Sequence, residues 1–158
     1  MLYKSTRGDS LSVTSAQAIL AGIAPDGGLF VPTSRVNISK QELEKLLAMS
    51  YQERAVFILK QFLTDFNDQE LKDCVEQAYS TEKYTHISIA PINIINDKLA
   101  ILELWHGPTY AFKDMALQLL PRLLIKSAEK TRDDSDYVIL VATSGDTGKA
   151  ALEGFKDV

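Results

Sequence analysis

The stretch Glu103-Leu-Trp-His-Gly-Pro-Thr-Tyr-Ala-Phe-Lys113-Asp114 joins a strand-like run to a helix-like one. Residues 99–105 are apolar enough for a buried strand, Gly107-Pro108 turns the chain, and apolar residues then recur at helical spacing. Phe112, Ala116, Leu119-Leu120 and Leu123-Leu124 form that helical stripe, and Pro121 predicts a kink or break near Leu117. The pattern puts Lys113 in the first turn of the helix, near the positive end of its dipole and between Phe112 and Met115. Both surroundings favour the neutral amine, the form that attacks a carbonyl. For any single lysine the alternative is a solvated head with its stem lying on the core.

A second stretch lies one helix further on. Tyr137-Val-Ile-Leu-Val-Ala142 is a short β-branched run, Thr143-Ser-Gly-Asp-Thr-Gly148 follows at once, and Lys149-Ala-Ala-Leu restarts a helical pattern. Strand, glycine-rich turn and helix together aim backbone N–H groups and a helix N-terminus at an anion. This is no Walker loop, because Thr143 stands where that motif needs glycine and Ala150 where it needs Ser or Thr. Two strand-to-helix turns separated by one helix are expected to bring Lys113 and Ser144 to the same end of neighbouring parallel strands. In open α/β sheets that end is where ligands bind.

These residues carry a resemblance. His106-Gly-Pro-Thr-x-Ala-Phe-Lys113-Asp114, followed by Ala142-Thr-Ser-Gly-Asp-Thr-Gly148, resembles the threonine synthase family, pyridoxal-phosphate enzymes of the tryptophan-synthase-β fold type. Tyr3-Lys-Ser-Thr-Arg-Gly8 and Ala24-Pro-Asp-Gly-Gly-Leu-Phe30 resemble the family's opening motifs. The likeness covers residues 3–32, 102–116 and 141–151; between 37 and 98 it is one of helical pattern only. It implies an α/β fold: a helix-rich N-terminal subdomain with short strands over residues 1–95, then the beginning of a parallel-sheet, fold type II cofactor domain over 96–158. Because the family runs much longer, the chain is expected to be an N-terminal fragment whose cofactor-phosphate loop and pyridine-nitrogen partner come later. The resemblance further implies pyridoxal 5'-phosphate held covalently on Lys113, with the freed amine moving protons at Cα and Cβ of O-phosphohomoserine. It places the substrate α-carboxylate on Ser144, Gly145 and Thr147, with Thr109 as a further substrate contact. Asp146 falls near the pyridoxal 3'-oxygen, where relatives often carry Asn, so a hydrogen bond there needs a proton on one partner.

Composition sets outer bounds. The chain has 158 residues, 46% hydrophobic and 24% charged, the balance of a soluble globular domain with a real core. A net charge of −4 argues against nucleic acid or an anionic membrane as the main partner. One cysteine, Cys74, rules out an internal disulfide, and no apolar run reaches the length of a membrane span, so a cytoplasmic setting is expected. With two histidines and no acidic cluster beside either in sequence, no metal site is expected.

The remaining segments read as scaffold. Residues 3–8 suit an edge strand, Thr14 or Ser12 caps a helix ending at Gly22, and Pro25-Asp-Gly-Gly28 turns into a short strand ended by Pro32. Ser39-x-x-Glu42 and Ser50-x-x-Glu53 have capping-box form, and Asn67 or Asp68 opens a helix with Leu71, Cys74, Val75, Ala78 and Tyr79 inside. Cys74 in that stripe is a small core residue. Ile87, Ile89 and Ile92-Asn-Ile-Ile95 suggest a strand interrupted at Pro91, and Asn96-Asp97 turns it into a hairpin. His86 reads as a surface or capping histidine, and residues 126–136 as a solvated helix end and loop. Two functional classes remain. One is a pyridoxal-phosphate lyase, either a threonine synthase or a threonine-synthase-like phospholyase. The other is a non-catalytic α/β module with a small anion-binding loop.

Overall fold

The computed structural model describes residues 1–8 and 11–158. Among the described residues eleven elements follow in order: β1 (Tyr3–Ser5), α1 (Ser15–Ala21), β2 (Phe30–Pro32), α2 (Lys40–Leu46), α3 (Tyr51–Phe62), α4 (Asp68–Ala78), β3 (Ile92–Asn96), β4 (Leu99–Leu102), α5 (Asp114–Leu117), α6 (Leu120–Thr131) and α7 (Asp146–Phe155). They fall into two compact units, one of residues Met1–Asp73 with Leu123–Ser135 and one of Cys74–Arg122 with Asp136–Val158.

In the first unit, β1 and β2 pair antiparallel, Lys4 opposite Val31. The Gly27-Gly28 turn feeding β2 is built by close approach. Gly27 has φ +78, and a side chain at Gly28 would meet Ser5 Oγ at 2.1 Å. Ser5 Oγ and Gly28 N both donate to Asp26 Oδ1, at 2.6 and 2.9 Å. These bonds hold the Asp26 carboxyl below its usual range, Ser5 contributing most, then Gly28, with Arg7 helping against a partial opposing effect of burial. The two expected capping boxes are made, Ser39 with Glu42 and Ser50 with Glu53; Thr14, one of the two caps expected for α1, forms a third box with Gln17. Asn67 opens α4 in the same way, its Oδ1 accepting from Glu70 N at 2.9 Å while Glu70 Oε2 accepts from Asn67 N at 2.7 Å. Each such cap is worth about 0.5–2 kcal/mol. Lys130 of α6 donates to Glu70 at 2.9 Å and lies 5.2 Å from the Phe66 ring centre, so the charged end of α6 is partly paired rather than wholly solvated.

The second unit forms around the end of α4. Cys74, Val75, Ala78 and Tyr79 are buried, together with Tyr84 and Ile89. Tyr79 and Tyr84 meet edge to face at 5.9 Å, and the Tyr79 hydroxyl donates to the carbonyl of Met115 at 2.6 Å. Residues 87–89 turn rather than extend: Ile89 N donates to His86 O, and fully buried Ile89 takes φ 59, a costly conformation for a β-branched side chain that burial over-determines. The strand therefore begins only after Pro91. β3 and β4 form the expected hairpin at Asn96-Asp97, where Asn96 Oδ1 accepts from Lys98 N at 3.0 Å.

The sheet expected around residues 99–105 and 137–142 is not formed among the described residues. Both sheets are two-stranded and antiparallel, and residues 137–142 lie in neither. A hairpin closes over a two-residue turn, whereas a parallel pair needs a long crossover and further strands to cover it. Ile92, Ile94, Leu102, Val138 and Leu140 are accordingly exposed. The predicted interruption at Pro121 is present: α5 ends at Leu117, residues 118–119 turn, and Pro121 sits in the first turn of α6, where its missing N–H does no harm. Among the described residues, no helix is long and apolar enough to cross a membrane.

Candidate functional site

Lys113 stands at the N-cap of α5, with φ −65 and ψ −22. Its carbonyl accepts from Ala116 N and Leu117 N. Because α5 is only four residues long, the helix dipole expected to act on Lys113 is a single turn's worth. The apolar neighbour is real: Lys113 Nζ lies 5.0 Å from the Phe112 ring centre. No carboxylate is within ion-pair distance of that amine among the described residues.

The loop before it is tightly made. Tyr110 N donates to Gly107 O at 3.1 Å, closing a turn with Pro108 at its favoured second position. Tyr110 then takes φ 60. Buried Asp114 reaches back across this loop, its Oδ2 accepting from Thr109 N and its Oδ1 from Thr109 Oγ1, each at 2.8 Å. Gly107 leaves room for that carboxylate, since a Cβ there would come within 2.6 Å of Asp114 Oδ2. Thr109 is thus buried, and its hydroxyl proton is engaged by Asp114.

A second brace precedes the turn. His106 Nε2 donates to Glu103 Oε2 at 2.7 Å, and Thr85 Oγ1 lies 3.1 Å from His106 Nδ1. Thr85 N also donates to His106 O at 2.9 Å, and the His86 ring packs 5.2 Å from that of His106. The His106 hydrogen bond, with Asn93 adding to it, holds Glu103 below the usual carboxylate range against the opposing effect of burial. The sequence shows no acidic cluster beside His106, and the single acid Glu103 is not marked by it as a partner. Glu103 lies three residues away along an extended segment, where neither helical nor alternating spacing flags the pair. Still, no group of three or more His, Cys, Asp or Glu suited to a metal ion occurs among the described residues.

The other candidate residues open α7. Gly145 is the N-cap, with φ 136, a conformation glycine adopts without strain. Ser144, Gly145, Asp146 and Thr147 are all exposed, and Asp146 occupies the first turn. The loop is organised by a residue that the sequence reading passed over. Thr143 Oγ1 accepts from Gly145 N at 3.2 Å and from Gly148 N at 2.9 Å, and a Cβ on Gly148 would meet it at 2.8 Å. The helix-opening N–H groups between them have no intrahelical acceptor. α7 packs on α5 where Gly154 meets Leu117; a Cβ there would lie 2.0 Å from the Leu117 carbonyl oxygen. Both halves of the candidate site therefore stand on one packed pair of helices within the second unit. No hydrogen bond or ion pair directly joins Lys113 or Thr109 to residues 144–147 among the described residues.

The chain is similar to several known proteins. A family model described as threonine synthase N terminus matches residues 2–79. The chain is 40% identical over 155 residues to threonine synthase of Pseudomonas aeruginosa, covering 98% of this chain and 32% of that protein. It is 41% identical over 143 residues to human threonine synthase-like 1, covering 89% of this chain and 19% of that protein. The crystal structure of PLP-bound threonine synthase from Brucella melitensis superposes with a TM-score of 0.90 at 36% identity, over 98% of this chain and 33% of that one. The chain thus spans about a third of the length of the threonine synthases it matches. From the Tyr3–Gly8 opening motif to the end of α4, it belongs to the threonine synthase N-terminal family.

Proposed function

We propose that the chain is the N-terminal third of a threonine synthase, a fold type II enzyme that converts O-phosphohomoserine and water to threonine and phosphate. Residues 1–95 serve as its N-terminal subdomain and 96–158 begin its cofactor-binding domain. The observation that carries this reading is the Lys113 amine. Among the described residues it has no acid partner; it lies against Phe112 and follows a loop braced by a buried carboxylate. The 36% identity with a PLP-bound threonine synthase supports it.

The residues present suit pyridoxal 5'-phosphate at its reactive end. Lys113 would supply the amine that holds the aldehyde carbon, and the exposed opening of α7 would offer N–H groups to a carboxylate. The cofactor, when bound, supplies an electron sink for carbanions. Lys113, once freed, takes and returns protons at Cα and Cβ of the substrate. Ser144, Gly145 and Thr147 receive the α-carboxylate through backbone N–H groups and hydroxyls. Asp146 would lie near the pyridoxal 3'-oxygen, where a hydrogen bond would need a proton on one of the two. Thr109 reaches substrate only through its oxygen lone pairs, because its proton is given to Asp114.

The test is made on the protein that carries this chain. Its absorbance reports bound cofactor, borohydride reduction followed by peptide mapping locates the labelled lysine, and Lys113→Ala should abolish both label and turnover. Label on another lysine would sink the assignment, and no label at all would favour a non-catalytic anion-binding module. A second reading is a threonine-synthase-like lyase that releases phosphate without adding water at Cβ; the chain is also 41% identical to a protein named threonine synthase-like 1. Product analysis with O-phosphohomoserine separates them: threonine with phosphate supports the first reading, phosphate without threonine the second.

A further inference from the structure

We propose that Asp114 is the positioning residue for Lys113, acting through Thr109 to set the direction of the amine. The inference rests on the reading of Lys113 as the group that holds the cofactor. Asp114 is fully buried, yet among the described residues no cation pairs with it. Both of its oxygens are spent on one residue, Thr109, five positions earlier. The two bonds close a ring of chain whose last free member is Lys113 and whose interior contains Tyr110 in a left-handed conformation. Tyrosine holds that conformation only where its surroundings over-determine it. The ring fixes the Lys113 backbone from one side, and the bonds from Ala116 N and Leu117 N to its carbonyl fix it from the other.

A reacting amine gains most when its direction is set before the substrate arrives, and groups that lock it by hydrogen bonding achieve this without touching the chemistry. Solvation does not explain the placement of Asp114. Carboxylates are ordinarily solvated, but this one, next to a half-buried lysine, is turned inward and given a space that glycine at 107 leaves open.

The experiment uses the protein that carries this chain, with Asp114→Asn and Thr109→Val. The valine keeps the Thr109 N–H bond and removes only the hydroxyl, so it remains informative if Asp114→Asn folds poorly. The readout is the substrate-free rate at which borohydride fixes pyridoxal 5'-phosphate on Lys113, measured with the absorbance maximum of bound cofactor and the melting temperature. Lost contact between Thr109 and substrate would not alter a substrate-free rate. The expected result is a fall of about tenfold to a hundredfold in trapping. A displaced absorbance maximum should accompany it, and Thr109→Val, with its melting temperature lowered because Asp114 Oδ1 loses its partner, should remain folded at the assay temperature. Trapping at the wild-type rate in both variants overturns the proposal. So does a loss no larger than the loss of folded protein, which would leave Asp114 a residue of folding alone. Wild-type label on a different lysine is a separate result; it removes the assignment of Lys113, and this inference with it.

Discussion

Asp114 gives both carboxylate oxygens to Thr109, one to its backbone N–H and one to its hydroxyl, each at 2.8 Å. The pair spans a loop that local spacing alone would leave open, and it sets how closely Gly107 can approach. A methyl group at Gly107 would lie 2.6 Å from Asp114 Oδ2 and from its Cβ. Gly107→Ala is therefore expected to push the carboxylate off Thr109 and cost about 1–3 kcal/mol, the range for overpacking a filled site. Denaturant unfolding of wild type and variant measures it; an unchanged midpoint would mean the loop yields without strain.

Gly154→Ala should be worse tolerated than a typical helix substitution. In an exposed helix, Gly to Ala gains about 1 kcal/mol of propensity. Here the new Cβ would sit 2.0 Å from the Leu117 carbonyl oxygen, backbone that no rotamer change can move. α7 must then lift away from α5. The expected outcome is a lower melting temperature and, if the proposed function holds, weaker cofactor retention by the protein that carries this chain, since Lys113 and the opening of α7 stand on these two helices. A rise in melting temperature would show that propensity outweighs the contact.

Thr143 is expected to hold the opening of α7 through its hydroxyl rather than its methyl. Thr143→Ala leaves Gly145 N and Gly148 N without their acceptor, a loss comparable to removing a helix cap, about 0.5–2 kcal/mol. Thr143→Ser keeps the oxygen and should restore most of it. Hydrogen exchange at these two amides gives the readout: fast in the alanine variant, near wild type in the serine variant. Equal protection in both would assign the loop's order to packing.

Acid should weaken the first unit through Glu70. Burial pushes its carboxyl up, but the Lys130 bond, the Asn67 N–H bond and the charges of Lys130 and Lys126 outweigh this, so the folded group lies below its ordinary 4.5. A carboxyl lowered on folding contributes stability that is fully present above the unfolded value and lost as pH falls through the folded one. Stability measured from pH 7 downward should therefore decline below about 4.5, and Glu70→Gln should flatten part of that decline while lowering stability at pH 7. Parallel pH curves for wild type and Glu70→Gln would count against the role of the pair.

What the sequence determined by itself lies within one turn of the chain. Ser39 with Glu42, Ser50 with Glu53 and Thr14 with Gln17 are three residues apart, so their reciprocal bonds follow from spacing and chemistry whatever lies around them. The stripe Leu71, Cys74, Val75 and Ala78 is buried as its period requires, and Pro121 ends α5 because a missing N–H acts locally. The family motifs at Lys113 and at residues 143–148 were also legible, being strings of neighbours. Tertiary structure decided the rest. It turned Asp114 inward, joined Glu103 and His106 to Thr85, made Thr143 the centre of its loop and brought Gly154 onto Leu117. It also withheld the parallel pairing expected of residues 137–142, because a strand is completed by backbone partners distant in sequence, and no local pattern supplies them. Hydrogen bonds within a turn are set by covalent geometry, whereas a close approach between elements depends on how the whole core fills, which no periodicity records.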